Sequence, residues 1–209
     1  EHYGLNCQGV CDAHLRFTYF GVVAPGSVND NIAVTRTGSL LECINSLELG
    51  EFFFGDAAYT VSEHLLIPFT GTQRDYEDQD AFNFYLSQLR IRIEMAFGLL
   101  VNKFRILKNP LYKSMNTNAK VIMCCAILHN FIINNDGIDI TDDQNIGDID
   151  TENIENIDGV TMEHSVEAPS GMIYNPSMRE IDFIEVRGIS NTRVGLVEWL
   201  RDHGYKRPD

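Results

Sequence analysis

Residues 136–168 hold eleven carboxylates and no Lys or Arg. Isolated Ile residues at that charge density cannot bury enough apolar surface to offset the entropy of ordering, so this stretch cannot join a core. It divides the chain. We predict a folded domain over residues 1–135, an acidic disordered linker over 136–170 and a short helical tail over 171–209. The stretch also carries eleven of the fourteen net negative charges, while residues 1–135 net only −3. The acidity of the whole chain therefore does not exclude a nucleic-acid partner for the domain.

With 44% hydrophobic residues, the chain has enough apolar side chain for a core. No run approaches the roughly 18 apolar residues of a membrane span, and no basic, apolar, then small-residue pattern marks a signal peptide. Five cysteines are present, an odd number, and Cys124 and Cys125 are adjacent. Cys7 and Cys11 lack a second pair or His cluster for zinc. All five read as reduced core thiols, as in a cytoplasmic or nuclear protein.

Within the domain, GLNCQGVCD (residues 4–12) and RFTYFGVVA (16–24) predict a β-hairpin. Residues 30–47 predict a helix containing Ile32, Leu40, Leu41 and Ile44, with Asp30 and Asn31 as its cap. Residues 51–55 predict a strand buried on both faces, HLLIPF a further short strand or turn, and residues 71–80 a polar loop. Phe82, Leu86, Leu89, Ile93, Phe97, Leu100 and Phe104 recur at helical spacing, predicting a long helix over about 80–104. KVIMCCAILHNFII predicts a last helix over about 117–134, apolar nearly all round and therefore buried. Its His129 reads as a satisfied core residue. In the tail, Asn191 can cap a helix in which Val194, Val197 and Leu200 share a face and Gly204 is the stop. This order of elements implies an α/β mixed sheet flanked by helices.

Three features can carry chemistry. Asp56 follows the apolar run FFFG, so it is either a turn-former or a carboxylate held beyond a strand end, where ligands of open sheets bind. Glu94 sits one position past the core residue Ile93. It is either half of a surface pair with Arg90 or a second functional acid. Gly98, one turn on, suggests close approach on that face. Finally, residues 90–120 hold Arg90, Arg92, Lys103, Arg105, Lys108, Lys113 and Lys120 against the single acid Glu94. Such a run is either a solvated face or a contact for a phosphate backbone.

The strings VVAPGSVNDNIAV, GDAAYTVSEHLLIPF, FNFYLSQLRIRIEMAFGLLVNKFRIL and CCAILHNFI, in this order, resemble the DDE domain of PIF/Harbinger-type transposases and Harbinger transposase-derived nucleases over about residues 3–134. The resemblance implies a ribonuclease-H-like fold and a three-carboxylate site that binds Mg²⁺ or Mn²⁺ for DNA phosphodiester cleavage. Matched motif by motif, it assigns metal-binding and catalytic roles to Asp56 and Glu94. It leaves Arg90, Arg92, Lys103 and Arg105 as candidate DNA contacts. The family's first Asp lies on a first strand upstream of the hairpin, so the chain as given is expected to lack that strand and that ligand. Asp12 is expected to belong to the hairpin turn instead. The resemblance further implies a nuclear protein, also cytoplasmic, that works with a separate Myb-like DNA-binding partner. The rival reading is a catalytically inactive domesticated transposase acting as a DNA- or protein-binding module. The acidic stretch is either a spacer or a competitor of DNA for the basic face.

Overall fold

The computed structural model describes residues 4–71, 76–136 and 190–208, and only the backbone of residues 35–37. The bulk of the predicted linker and the first part of the predicted tail lie outside the described residues.

The hairpin forms as expected. Strand β1 (Leu5–Cys11) pairs antiparallel with β2 (Phe17–Pro25), with register shifts after Asn6 and Val10. Asp12 closes the turn. Its carboxylate accepts the amides of His14 and Arg16 at 2.9 and 3.0 Å and pairs with the Arg16 guanidinium at 2.6 Å. Burial pushes the Asp12 carboxyl up, but the Arg16 and His14 donors outweigh it and leave the pKa lowered. The same turn drives Leu15 into the core at 1% exposure.

Two helices follow where one was predicted. Helix α1 (Asp30–Thr37) and α2 (Ser39–Asn45) are broken at Gly38, whose φ of 70° leaves the helical region. The cap of α1 is also one residue earlier than predicted: the Asn29 side chain accepts the Asn31 amide.

Strands β3 (Phe53–Phe54) and β4 (Leu65–Leu66) pair in parallel. Antiparallel and parallel pairing both occur, but among the described residues they form two separate two-stranded sheets rather than the single mixed sheet expected. The alternation of a strand explains how β3 serves two cores. Phe53 packs with Val34, Leu40 and Ile44, while Phe52 and Phe54 turn to Leu66, Phe69, Phe82 and Leu86. The three Phe are only half-buried, less than the sequence implied.

Helix α3 (Glu77–Lys103) starts three residues earlier than predicted. Glu77, Asp78 and Asp80 fill its first turn, where the helix dipole favours anions. Its buried face is Phe82, Leu86, Met95, Ala96 and Leu100, with Ile93 and Phe97 packed at the margin. A short 3₁₀ turn (Arg105–Lys108) leads to α4 (Met115–Asp136).

Helix α4 corrects the sequence reading. Cys125, Ala126 and His129 are buried, but Ile127 and Phe131 are 64% and 62% exposed. Apolar character all round does not supply neighbours all round. The buried face is held by polar contacts. His129 Nε2–H donates to the Leu15 carbonyl at 2.8 Å, and Asn130 bonds both the N–H and the C=O of Phe17 at 2.8 Å. His129 is thus the satisfied core residue expected. All five cysteines are free thiols, but Cys124 is exposed and Cys125 alone is fully buried.

The last helix, α5 (Asn191–Asp202), is capped by Ser190, whose hydroxyl accepts the Arg193 amide at 3.1 Å, rather than by Asn191. It packs Leu196, Val197 and Leu200 against the β3–α3 cluster. Gly204, at φ 73°, ends it as predicted.

Candidate functional site

Asp56 and Glu94 come together. Asp56 stands two residues beyond β3. Gly55 donates its amide to Leu66 at 2.8 Å, continuing the parallel ladder, and space beside it is tight: a Cβ would meet the Leu65 side chain at 3.0 Å and the Tyr59 ring at 3.2 Å. The chain then turns. Asp56 Oδ1 accepts the Ala58 amide at 2.6 Å, and the Asp56 carbonyl accepts the Tyr59 amide at 3.2 Å. Asp56 is therefore a turn-former through one oxygen, and its other oxygen, Oδ2, points to Arg90.

Arg90 joins the two acids. Its Nη2 lies 2.8 Å from Glu94 Oε1 and 3.8 Å from Asp56 Oδ2. The carboxylates can be no further apart than those two distances laid end to end. The Arg90–Glu94 surface pair read from the sequence is present, and Asp56 is a third member that local spacing could not reveal. The Asp56 and Glu94 side chains remain 52% and 59% exposed. Ion pairs so exposed are worth about 0–1 kcal/mol, so an incoming cation displaces Arg90 cheaply.

Tyr59 borders this cluster, and sequence reasoning passed over it. Burial, then the charges of Asp30 and Asp56, push its hydroxyl up to about 12, with Arg90 opposing. Tyr59 therefore stays a neutral phenol beside the acids. Asp30 is held by the Asn6 amide at 2.7 Å and caps the same edge from α1. Gly98 departs from expectation: a Cβ there would meet nothing within 4 Å, so the helix face beyond Glu94 is open.

The cations separate into groups. Arg90 is committed to the acids. Arg92 lies on the hairpin side of α3: the Cys11 thiol is pushed up to about 11 by burial and Asp12, with Arg92 pulling it down. Lys103 and Arg105 are exposed at the far end of α3, roughly 14 Å along the axis from Glu94 by helical rise. A cleft of about 590 Å³ lined by Leu5, Phe20, Phe97, Leu107, Tyr112 and Met115 lies apart from the carboxylates. The acids instead face open surface, which suits a polymer backbone better than a small enclosed ligand.

The donor set is two hard carboxylates, the chemistry that Mg²⁺ and Mn²⁺ prefer. Among the described residues, no group of three or more His, Cys, Asp or Glu gathers closely enough to hold a metal, so the Asp56–Glu94 pair offers two carboxylates and no third.

Comparison with known proteins agrees with the motifs. A family model described as DDE superfamily endonuclease matches residues 1–130. The chain is 26% identical over 147 residues to a protein of Arabidopsis thaliana named Protein ALP1-like, covering 64% of this chain and 36% of that one. It is 24% identical over 141 residues to the Putative nuclease HARBI1 of Bos taurus, covering 66% of this chain and 40% of that one. The chain thus spans well under two thirds of the length of these curated relatives. No solved structure matches it. With the family model covering well over half of its residues, the chain belongs to the DDE superfamily endonucleases.

Proposed function

We propose that this chain is part of a metal-dependent DNA endonuclease of the Harbinger transposase-derived type, built on a ribonuclease-H-like domain. The observation that carries the reading is the convergence of Asp56, from a strand end, and Glu94, from a distant helix, on one guanidinium nitrogen at an open surface. Asp56 and Glu94 would hold Mg²⁺ or Mn²⁺, and the family pattern puts the third carboxylate on a strand upstream of the hairpin. Ions held there would supply activation of the attacking oxygen and charge stabilisation of the leaving one.

The chain's own residues do the rest. The β3–β4 pair holds Asp56, and its bond to the Ala58 amide through Oδ1 leaves Oδ2 turned toward Arg90 and the site. Arg90 balances both carboxylates in the absence of a cation, and its guanidinium would be available to a substrate phosphate with a cation in its place. Lys103 and Arg105, exposed and set apart from the acids near the end of α3, would meet a more distant phosphate of the same backbone. DNA is the substrate proposed, with a Myb-like protein supplying sequence recognition in the nucleus.

The test uses the full-length protein. Asp56→Asn and Glu94→Gln are each expected to abolish metal-dependent nicking of duplex DNA. Cleavage retained in either variant overturns the assignment of the site.

A further inference from the structure

The C-terminal segment lies beyond the acidic stretch, yet its contacts converge on the elements that carry the site. Glu63, in the loop between β3 and β4, reaches the first turn of α5. Its carboxylate accepts the amides of Asn191 and Thr192 at 2.8 and 2.9 Å, the Thr192 hydroxyl at 2.7 Å and the Asn191 side chain at 3.2 Å. One carboxylate thus satisfies two of the free amides at a helix start. Arg193, 5% exposed, lays its guanidinium 4.0 Å from the centre of the Phe69 ring and donates to the Ile67 carbonyl at 3.2 Å, just past β4.

The other end of the segment grips α3. Lys206 and Arg207 pair with Glu77 and Asp80, and Tyr85 donates its hydroxyl proton to the Lys206 carbonyl. Between these grips, Leu196, Val197 and Leu200 fill the wedge between Phe54, two residues before Asp56, and Leu86, one turn before Arg90. β3 and α3 therefore share a filler that belongs to neither.

We propose that residues 190–208 are a strap that fixes the spacing of the Asp56–Arg90–Glu94 cluster, with Glu63 and Arg193 as its positioning residues. This rests on the reading of that cluster as the site. Neither residue touches the acids; both act through β4 and the wedge. The predicted independent tail is by this inference a late-coming part of the domain.

The test compares the full chain with its Glu63→Gln and Arg193→Met variants by amide hydrogen exchange. Loosening of the strap is expected to speed exchange about tenfold at residues 55–59 and along residues 86–94, while the hairpin of residues 5–25 is unchanged. The Arg90 guanidinium nitrogen signal should shift toward that of a free side chain. If either variant unfolds, the paired surface change Lys206→Ala with Arg207→Ala loosens only the outer grip and carries the same expectation at α3. Acceleration confined to α5, or spread evenly over the domain, overturns the strap. Cleavage assays on the full-length protein separate the two readings. A lowered kcat with unchanged KM in Glu63→Gln supports the strap acting on the site. The expected exchange pattern in a protein that never cleaves keeps the strap and overturns the nuclease reading. Cleavage by the unaltered protein with exchange confined to α5 does the reverse.

Discussion

Asp12 and Asp56 each follow a strand, and each accepts the amide two residues on, from His14 and from Ala58. There the likeness ends. The second oxygen of Asp12 is taken by Arg16 at 2.6 Å, and its pKa is lowered by those donors against the opposing effect of burial. The second oxygen of Asp56 meets only a guanidinium 3.8 Å away, itself shared with Glu94. The first carboxylate spends both oxygens on the turn. The second spends one and keeps one for something else. Local motif alone does not separate Asp12 from the candidate site acid Asp56; what distinguishes the two in the fold is the fate of the second oxygen.

Exchanging the two outcomes breaks or confirms this contrast. The largest effect expected is at Asp56: Asn there lowers cleavage by about 100-fold or more while stability moves by less than about 0.5 kcal/mol, because the amide bond through Oδ1 survives. Asp12→Asn does the opposite. It keeps cleavage and loses about 1 kcal/mol in urea denaturation, since the charge-assisted contacts to Arg16 weaken. A cleavage defect in Asp12→Asn with intact folding would make it a site residue after all. Arg90→Ala sharpens the comparison from the other side. Removing the counter-cation is expected to tighten Mn²⁺ binding about threefold, the scale of one exposed ion pair, and to lessen the salt dependence of DNA binding. Weaker Mn²⁺ binding would show that Arg90 organises the acids rather than competing for them.

The smallest effect is one of pH. Partial burial raises the Glu63 carboxyl, but the Thr192 and Asn191 donors dominate and lower its pKa. A carboxylate depressed in the folded state adds stability above its unfolded pKa of about 4.3, and that stability is lost as pH falls through the folded value. Thermal melts from pH 6 downward should therefore lose stability faster in the natural protein than in Glu63→Gln once pH drops below about 4. Parallel curves would remove Glu63 from the list of groups holding α5.

Much of this was legible in the residues. The apolar run before Asp56 could only be a strand, and the spacing from Phe82 to Leu100 could only be a helix. The four motifs together pointed to the family that the comparison returned. What escaped was long-range. Ile32 before Gly38 and Leu40, Leu41 and Ile44 after it were read as one helix, through a break that the backbone makes. The α4 sequence is apolar on every face, but periodicity reports preference and not the presence of a neighbour, so Ile127 and Phe131 stand exposed. Arg90 and Glu94 are one turn apart and easily paired on paper, whereas Asp56 reaches them only through the fold. The grip of Glu63 on α5 joins residues 128 positions apart by side-chain hydrogen bonds, which leave no period to read.

The strap has a mechanical side. Arg201, Lys206 and Arg207 meet Asp78, Glu77 and Asp80 in a row of surface ion pairs. Tension applied at the C-terminus would load these one after another, as a zipper does. At the other end, Glu63 holds four donors at once and Arg193 is clamped between the Phe69 ring and the Ile67 carbonyl, so tension there would be resisted by every bond together, in shear. Salt would soften the zipper and hardly touch the clamp. The same segment is thus weak when peeled from its tip and strong when pulled from its root, and its first point of failure under load is the row of ion pairs at Lys206 and Arg207.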